Sequence, residues 1–427
     1  MPVSSTFMFV SQVNPDRRDA LSTLLTKLTC QTGFADPENV EIPFARLSGL
    51  HFARIVVLDD NTSVDNAAYD IDASPAPAKL AFLGDIDGTR DGFIKDLVRV
   101  AGPGLSKLFA HCLDFDAKAP LENWLVAHHV EPAVNYSNWP GRSVSQIRDE
   151  ATLRAALIRY MPQEREHAAS ASDLHRRLRS RVKSLGPRPT ELPTVTPGER
   201  LGEALHLTAS VLLLLILAPL LAIAAPFYLI VLRNRERRDA SASDRPSGEH
   251  LRALADREDF DVTNQFSAFG TVKPGRFRLW TLIFAFWVLG ITTRHLYIKG
   301  RLARVGSIHF ARWVFLDGRK RLFFGSNYDG NLEAYMDDFV NKAAFGLNLV
   351  FSNGIGYPRT RYLILDGAKD EQAFKYYIRR HQLPTEVWYK AYPGLTAADI
   401  ARNARVRQGF DTESMSDADA RQWLAEL

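Results

Sequence analysis

Cysteine is nearly absent from the 427-residue chain, which contains only Cys30 and Cys112. The two lie far apart and neither belongs to a CxxC pair, so the sequence offers no thiolate metal site and no disulfide framework. Such usage is typical of proteins in a reducing compartment. The N-terminal residues also lack a basic segment followed by a long apolar run, which argues against a secretory signal. We therefore expect the main body in the cytoplasm.

Several common functional motifs are missing as well. There is no P-loop, no Rossmann glycine pattern and no nucleophile elbow, which argues against nucleotide-dependent and serine-hydrolase chemistry. The histidines show neither HxxxH nor HExxH spacing, so we predict no metal site. The formal net charge is only +4, and its excess lies beside one apolar segment. Nucleic acid is therefore not expected as a partner, whereas anionic membrane lipids are.

That apolar segment, residues 207–232, carries no charge over 26 positions. A helix needs about 20 apolar residues to cross a bilayer, so the segment predicts membrane insertion. Arginines flank it on both sides, within residues 175–181 and 233–238. A second apolar helix is predicted at residues 277–298, where Trp280 and Trp287 suit a lipid interface. Because it is apolar all round, this helix is predicted to be either embedded in lipid or fully buried.

The chain repeats itself on either side of residues 207–232. The sequence HFAR occurs at residues 51–54 and again at 309–312, and an Asp-Gly pair follows each copy at 87–88 and 329–330. Weaker matches in the same order pair residues 7–15 with 266–274 and residues 129–132 with 381–384. Four matching blocks in one order predict an internal duplication.

Each copy is predicted to have the element order β-α-β-β-α-β. In the first copy, alternating and β-branched stretches indicate strands and helical spacing of apolar residues indicates helices. The predicted strands are 6–13, 51–58, 79–84 and 133–137, and the predicted helices are 16–31, 89–101, 105–112 and 120–129. This order is that of the ferredoxin-like split βαβ unit. The duplicated pattern resembles the dimeric α+β barrel superfamily in its tandem, single-chain form, over residues 1–150 and 260–410.

We therefore predict an α+β protein in which two tandem ferredoxin-like repeats pack as an α+β barrel, with a membrane-inserted segment between them. The expected boundaries are 1–150 for the first repeat, 151–250 for a charged linker containing 207–232, 251–412 for the second repeat with its apolar helix, and 413–427 for a C-terminal tail.

A single membrane crossing by residues 207–232 would place the two copies on opposite sides, where they could not pair. Three arrangements avoid this. The segment bends at Pro219 and Pro226 into a re-entrant hairpin, or residues 277–293 cross back, or each copy pairs with its equivalent in another chain of a homo-oligomer. Basic residues on both flanks favour the hairpin. We expect a cytoplasmic body held on the bilayer by this anchor and the second apolar helix.

The HFAR strands supply the first candidate site. Strict alternation places His51 and Arg54 on opposite faces of their strand, so one polar side chain in each copy must point inward. A buried histidine or arginine needs a partner, and the expected partners lie on the adjacent hairpin strand. These are Asp85, Asp87, Asn327 and Asp329. Two interpretations stay open, namely structural ion pairs that fix each hairpin, or a pocket with acid–base and charge-stabilising groups. The candidate catalytic residues are His51, Arg54, Asp87, His309, Arg312 and Asp329.

Residues 84–88, GDIDG, resemble the GxxDG motif of dye-decolourising haem peroxidases, which also consist of two ferredoxin-like units. The resemblance implies that Asp87 serves on the distal side of a haem and that a histidine of the second half binds the iron. The histidines available there are His295, His309 and His381. The second copy reads SNYDG and departs from the motif at its first glycine. Asp87 and Asp329 are equally well explained as N-caps of the helices that follow.

Two functions follow from these features. The first is an enzyme at the membrane surface that takes an apolar, lipid-like substrate from the bilayer, with the peroxidase or monooxygenase chemistry that the resemblance suggests. The apolar helix built into the second repeat favours it, because an anchor alone would need only residues 207–232. The alternative is a non-catalytic membrane-bound scaffold or a partner subunit of another membrane protein.

Overall fold

A computed structural model describes residues 4–60, 62–191, 196–241, 244–297, 302 and 305–427. Its strands are β1 (Ser4–Gln12), β2 (Thr29–Gln31), β3 (Gly33–Ala35), β4 (Leu50–Leu58), β5 (Lys79–Asp87), β6 (Val134–Ser137), β7 (Thr263–Thr271), β8 (Ile308–Leu316), β9 (Arg321–Asp329), β10 (Thr360–Arg361), β11 (Leu365–Asp366) and β12 (Thr385–Lys390). Its α-helices are α1 (Arg18–Lys27), α2 (Arg90–Phe109), α3 (Leu121–Ala127), α4 (Val144–Glu166), α5 (Ala171–Leu185), α6 (Pro197–Glu236), α7 (Gly248–Ala255), α8 (Arg276–His295), α9 (Leu332–Phe351), α10 (Glu371–His381), α11 (Ala397–Asp411) and α12 (Asp417–Leu424). The chain is thus a mixed α+β protein.

Two larger sheets form the centre of the molecule. The first has the strand order β1-β5-β4-β12-β3-β2 and the second has the order β6-β8-β9-β7. Corresponding strands in the two sheets pair antiparallel in the same way, with Asp87 opposite Ser4 in one sheet and Asp329 opposite Thr263 in the other. β10 and β11 form a separate two-stranded sheet.

The last strand of each half pairs with the other half of the chain. β6 lies antiparallel to β8, and β12 lies antiparallel to β4. Just before each exchange the chain still contacts its own half, since Val130 N donates to Met8 O at 2.9 Å and Leu383 N donates to Ser267 O at 2.8 Å. Isolated β-bridges between Phe9 and His129 and between Ala268 and Gln382 link the two sheets at both edges. We call the eight strands β1, β5, β4, β12, β7, β9, β8 and β6 the strand ring. The two halves thus contact each other within one chain.

Apolar side chains fill one end of the strand ring and both outer faces of the sheets. Inside, side chains of the two sheets meet in one cluster that includes Met8, Val56, Leu83, Phe269, Val314 and Phe323. Outside, α1 and α2 cover the first sheet, while α8 and α9 cover the second. Burial of these apolar faces is the main favourable term that holds helices on sheets.

A separate helical cluster joins the middle of the chain to its end. α4 and α5 pack against α11 and α12 through Leu157, Leu178, Phe410 and Trp423. Most of the charged segment after residue 150 is therefore folded into helices, and the expected C-terminal tail contains α12. The reason is that leucines at helical spacing lie behind the charged residues, so each helix has one apolar face to bury.

α6 is a single continuous helix of 40 residues, and the expected re-entrant hairpin is wrong. Pro219 and Pro226 lie inside the helix. Each removes one backbone hydrogen bond, but the surrounding leucine and alanine residues favour helix strongly enough to continue it. Its most apolar 18-residue window has a mean hydropathy of 2.6, and none of that window is buried. α6 is thus one helix long and apolar enough to cross a membrane.

α8 begins one residue before the predicted helix and ends at His295, while residue 298, the predicted end, lies outside the described residues. Neither the predicted position in lipid nor the predicted full burial describes α8 completely. Leu282 and Phe286 are buried in the core of the second sheet, yet Trp280 is 60 % exposed and Phe284 is 43 % exposed. α8 therefore packs one side on the sheet and presents a second apolar side outward.

β6 of the first half pairs with β8 of the second, and β12 of the second half pairs with β4 of the first. Cleavage of the chain between the two halves should therefore leave the two fragments bound to each other. We predict that replacing residues 192–195 with a protease site and cleaving it yields fragments that co-elute on size exclusion in mild detergent. They should separate only after denaturation. Fragments that separate under native conditions would contradict the strand exchange.

Candidate functional site

Arg54 crosses the interior of the strand ring and binds the opposite sheet. Its Nη1 donates to Phe266 O at 2.6 Å and to Ser267 Oγ at 3.0 Å. Its Nη2 donates to Ser326 O at 2.9 Å and to the Asn327 side-chain oxygen. The guanidinium, only 4 % exposed, thus has four acceptors and all of them belong to the second half of the chain.

Arg312 makes the equivalent contacts in the opposite direction. Its Nη1 donates to Phe7 O at 2.9 Å, and its Nη2 forms a buried ion pair with Asp85. Asn327 Nδ2 donates to the second oxygen of Asp85 at 3.1 Å. Burial lowers the pKa of Arg54 to about 9, and the nearby charge of Arg312 acts in the same direction.

Asp85 and Asn327 are among the expected partners, but each binds the arginine of the other half, so only their assignment to the arginine of the adjacent hairpin strand is wrong. Facing sheets lie about 10 Å apart, so an extended arginine that points inward reaches the opposite sheet rather than its neighbour. The cavity left between Arg54, Arg312, Asp85, Phe52 and Phe310 has a volume of about 10 Å³, which is room for about one water molecule. This polar cluster therefore joins the sheets and leaves no space for a substrate.

His51 and His309 both lie at β-bulges, where the register shifts between residues 50 and 52 and between residues 308 and 310. A bulge interrupts the alternation of side chains. The histidine and the arginine of each HFAR segment are both buried, whereas strict alternation required only that one of them point inward. His51 Nε2 lies 3.0 Å from Asp87 Oδ1, and His309 Nε2 lies 2.6 Å from Asp329 Oδ1.

The two aspartates also cap helices. Asp87 Oδ2 accepts from Val144 N at 2.9 Å, at the start of α4, and Asp329 Oδ2 accepts from Ala397 N at 2.6 Å, at the start of α11. A carboxylate at a helix N-terminus is stabilised by the free backbone N–H groups there. Both aspartates bind helix N-termini, as expected, but those of α4 and α11. The helices that directly follow them, α2 and α9, are capped by Thr89 and Asn331 instead.

The two copies differ beside these histidines. His51 Nδ1 lies 3.1 Å from Tyr392 Oη. At the equivalent place Trp139 packs edge-on against His309, with ring centroids 5.3 Å apart. His309 Nδ1 is buried and has no hydrogen-bond partner in the described part of the chain. The His309 side chain is 0 % exposed and that of Asp329 is 13 % exposed, so the imidazole itself has no contact with solvent.

Both glycines of the GDIDG segment have structural explanations. A Cβ at Gly84 would lie 2.6 Å from Phe52 O and from the Phe7 ring, so the neighbouring strands exclude any side chain there. Gly88 has a φ of +78°, in the region that glycine adopts at no steric cost. Close strand packing and a turn therefore account for the motif without a cofactor.

The residues that the peroxidase resemblance assigns to haem do not fit that role. Both oxygens of Asp87 accept hydrogen bonds within the protein. His295 bonds His206, and His309 bonds Asp329, each through Nε2. His381 bonds the Tyr377 carbonyl through Nδ1, and its Nε2 side packs against Gly270. His309 and His381 are buried among protein side chains. Within the described ranges, no group of three or more His, Cys, Asp or Glu side chains is placed to hold a metal ion.

A cleft of about 620 Å³ lies outside the strand ring, between α8 and the β8–β9 turn. One wall consists of Ile283, Phe286 and Trp287 of α8. The others consist of Val130, Glu131, Ala133, Phe315, Leu316, Asp317, Gly318 and Arg319. The volume falls within the roughly 300–1,000 Å³ that small-molecule sites usually have, and a mostly apolar wall with a few polar groups is also typical of them.

The turn that borders this cleft is strained and charged. Asp317, Gly318 and Arg319 all have positive φ values, of 53°, 63° and 69°. Two of the three are not glycine, and such strain is concentrated at functional sites. Asp317 forms ion pairs with Lys79 and Arg321. Arg319 is exposed and forms no ion pair with another described residue, which leaves a cation at the mouth of the cleft.

The predicted lipid-like substrate beside the apolar helix 277–298 agrees with one wall of the cleft, but the other two wall segments, residues 130–133 and 315–319, are distant in the chain and were not predicted. Comparison with known proteins adds no assignment: no protein-family model, no curated protein and no solved structure matches the chain. The site must therefore be judged on its own geometry. That geometry separates a filled interior, in which the candidate catalytic side chains bind strands and helices, from an open, apolar cleft beside α8.

The buried ion pair between Arg312 and Asp85 leads to a testable prediction about stability. Asp85→Ala leaves the Arg312 charge buried without its counter-ion, and we expect the free energy of unfolding to fall by about 3–5 kcal/mol. Asp96→Ala is the matched control, because it breaks an ion pair with Arg99 whose side chains are 60 % and 72 % exposed. Its expected cost is about 0–1 kcal/mol. Denaturant titration in mild detergent measures both, and equal costs would contradict a structural role for Asp85.

Proposed function

We propose that this protein is a membrane-bound, lipid-binding protein whose body is an α+β barrel of two ferredoxin-like repeats. The observation that carries the proposal is the cleft of about 620 Å³, whose apolar wall belongs to a helix that also presents Trp280 and Phe284 outward. A ligand pocket and a membrane-facing surface thus share one element, α8.

The proposed repeats are supported by pairing as well as by sequence. Both halves have the strand order first-third-second within their sheets, with a bulge at the same place in each second strand. The HFAR segments and the Asp-Gly pairs occupy corresponding positions in both sheets. A duplicated ferredoxin-like unit that exchanges its fourth strand accounts for all of these correspondences and for closure of the ring.

Membrane binding is supported by α6. An unburied apolar helix of this length has no favourable environment in water, and its uncharged segment is flanked by arginines on both sides. Basic flanks are typical of cytoplasmic ends of membrane helices. Cys30 is an exposed free thiol, in keeping with a body on the reducing, cytoplasmic side.

The cleft favours a ligand with one long apolar chain and an anionic end. Five of its lining residues, Ile283, Phe286, Trp287, Phe315 and Leu316, are large and apolar. Arg319 at the mouth is exposed and unpaired among the described residues, which suits a phosphate or carboxylate. A lipid-like molecule that enters from the bilayer beside α8 has this chemistry.

Binding without catalysis is the form of the function that the geometry supports best. The candidate catalytic residues His51, Arg54, Asp87, His309, Arg312 and Asp329 are each engaged in bonds that hold the fold, and they lie away from the cleft lining. The oxidative activity that the resemblance suggests stays a prediction. So does a partner subunit in the membrane.

Narrowing the cleft tests the proposal. Ala133 lines the cleft and is exposed, so Ala133→Trp places a large ring in the ligand space without disturbing the core. We expect its affinity for a fluorescent long-chain fatty acid to fall at least about tenfold, roughly 1.4 kcal/mol of lost binding. Ala418→Trp, on the exposed side of α12, is the matched control and should bind like the unmodified protein.

Fluorescence titration in mild detergent gives both affinities. Equal binding by Ala133→Trp and Ala418→Trp would place the ligand elsewhere. Absence of fatty-acid binding by the unmodified protein would overturn the proposal.

A further inference from the structure

We infer that α6 lies in the plane of the bilayer, immersed in one leaflet beside the outward side of α8, and does not cross the membrane. The inference rests on the proposed membrane binding and concerns its geometry. α6 together with the exposed side of α8 is called the apolar layer below. The occupant of the apolar layer is the hydrocarbon of the leaflet nearest the body.

The C-terminal end of α6 is attached to the rest of the folded protein, which we call the body. Glu236 is 0 % exposed and accepts hydrogen bonds from Thr360 Oγ1 at 3.0 Å, Tyr362 N at 2.9 Å and Leu363 N at 2.8 Å. A buried carboxylate with three donors is a strong and specific attachment. This end of the helix therefore cannot leave the body without exposing a costly set of unpaired groups.

A second buried cluster joins the same end to the start of α8. Asp239 pairs with Lys273 at 2.8 Å and with Arg278, and all three side chains are almost completely buried. Burial lowers the pKa of Lys273 to about 8, while Asp239 opposes that shift. Next to this cluster, Tyr228 of α6 stacks on Phe277 of α8, with ring centroids 5.1 Å apart.

The N-terminal end of α6 contacts the same body at the other end of α8. His206 Nδ1 lies 2.8 Å from His295 Nε2, and Arg294 donates to both oxygens of Glu203 at 2.8 and 3.0 Å. His206 and Glu236 are 30 residues apart, or about 45 Å along a helix. A helix that crosses the bilayer has its ends on opposite sides of about 30 Å of hydrocarbon. Here both ends are held by one body.

Charges beside the middle of α8 exclude an upright orientation of the apolar layer. Asp317 and Arg319 border the same cleft as Ile283 and Trp287, close to the midpoint of α8. If α8 stood across the bilayer alongside α6, this exposed turn would lie near the hydrocarbon centre, where such charges are among the least favourable groups. With the apolar layer parallel to the surface, the turn stays at the level of the headgroups.

Exposed arginines at one end of the apolar layer fit lipid phosphates. Arg235, Arg237, Arg238 and Arg276 are exposed, and in the described part of the chain none of them pairs with an acidic side chain. The Arg235 guanidinium lies 5.2 Å from the Phe277 ring centroid, so cationic and aromatic groups meet here, as they do at membrane interfaces. Anionic headgroups of the near leaflet would neutralise this cluster.

The depth of α6 in a membrane tests the inference. Ala209, Leu220 and Val231 are exposed and are spaced eleven residues apart, so they share one side of the helix. Each is replaced singly by cysteine in a Cys30→Ser/Cys112→Ala background and is spin-labelled. The labelled 427-residue protein is then reconstituted into phosphatidylcholine–phosphatidylglycerol vesicles. Collision with oxygen and with a water-soluble nickel chelate then reports the depth of each label.

The in-plane arrangement predicts hydrocarbon-level labels at all three positions and similar depths. A crossing helix instead puts Leu220→Cys deepest and the other two near opposite interfaces, about 16 Å away on either side, which would overturn the inference and leave membrane binding intact. Labels that are all accessible to the nickel chelate would overturn the proposed membrane binding itself.

The side of the membrane on which each end of α6 lies gives an independent test. Gly198→Cys and Arg238→Cys lie near the two ends of α6, at exposed positions, and native Cys30 marks the body. In inverted membrane vesicles, an impermeant maleimide should label all three sites without permeabilisation. Protection of Gly198→Cys alone, or of Arg238→Cys alone, would show that the helix crosses.

Discussion

Exchange of the last strands between the two halves is the constraint on which the rest of the structure depends. β12 extends the first sheet beyond β4, and β6 extends the second sheet beyond β8. Without the other half, β4 and β8 would therefore each have one unpaired edge. Arg54 and Arg312 then bind backbone carbonyls of the opposite sheets. Because each guanidinium loses water on burial and needs several acceptors, the two sheets have to meet in one register.

Because the interior of the strand ring is filled, we propose that the ligand binds on its outer surface. The side chains whose chemistry looks catalytic hold strands, helices and sheets together, and Asp87 and Asp329 each do so twice, at a histidine and at a helix N-terminus. Function is then expected where the two halves differ. α1 presents polar residues such as Ser22 and Thr23 outward, whereas α8 presents Trp280 and Phe284. The proposed lipid-facing side therefore combines α8 of the second half with α6, and has no counterpart in the first half.

Sequence periodicity predicted the order of strands and helices well, because both depend on local patterns of apolar residues. It could not locate the partners of Arg54 and Arg312, since those depend on which sheets face each other. Sequence periodicity also failed to predict the bulges at His51 and His309, because strict alternation does not show where a strand contains one extra residue. Pro219 and Pro226 suggested a bend, but a proline ends a helix only when flanking residues do not sustain it. The apolar helix that forms one wall of the cleft was predicted, but its other walls were not, because they come from segments distant in the chain.

The most direct test of the account is to identify what the purified protein carries. The full-length chain, extracted in mild detergent, would be analysed by native mass spectrometry together with an absorption spectrum of the same sample. The account predicts one acyl-chain lipid per protein chain, retained by unmodified protein, and no Soret band. A protein that carries no lipid, or one that shows a Soret band, would contradict the claim that a filled barrel binds its ligand in the cleft beside α8.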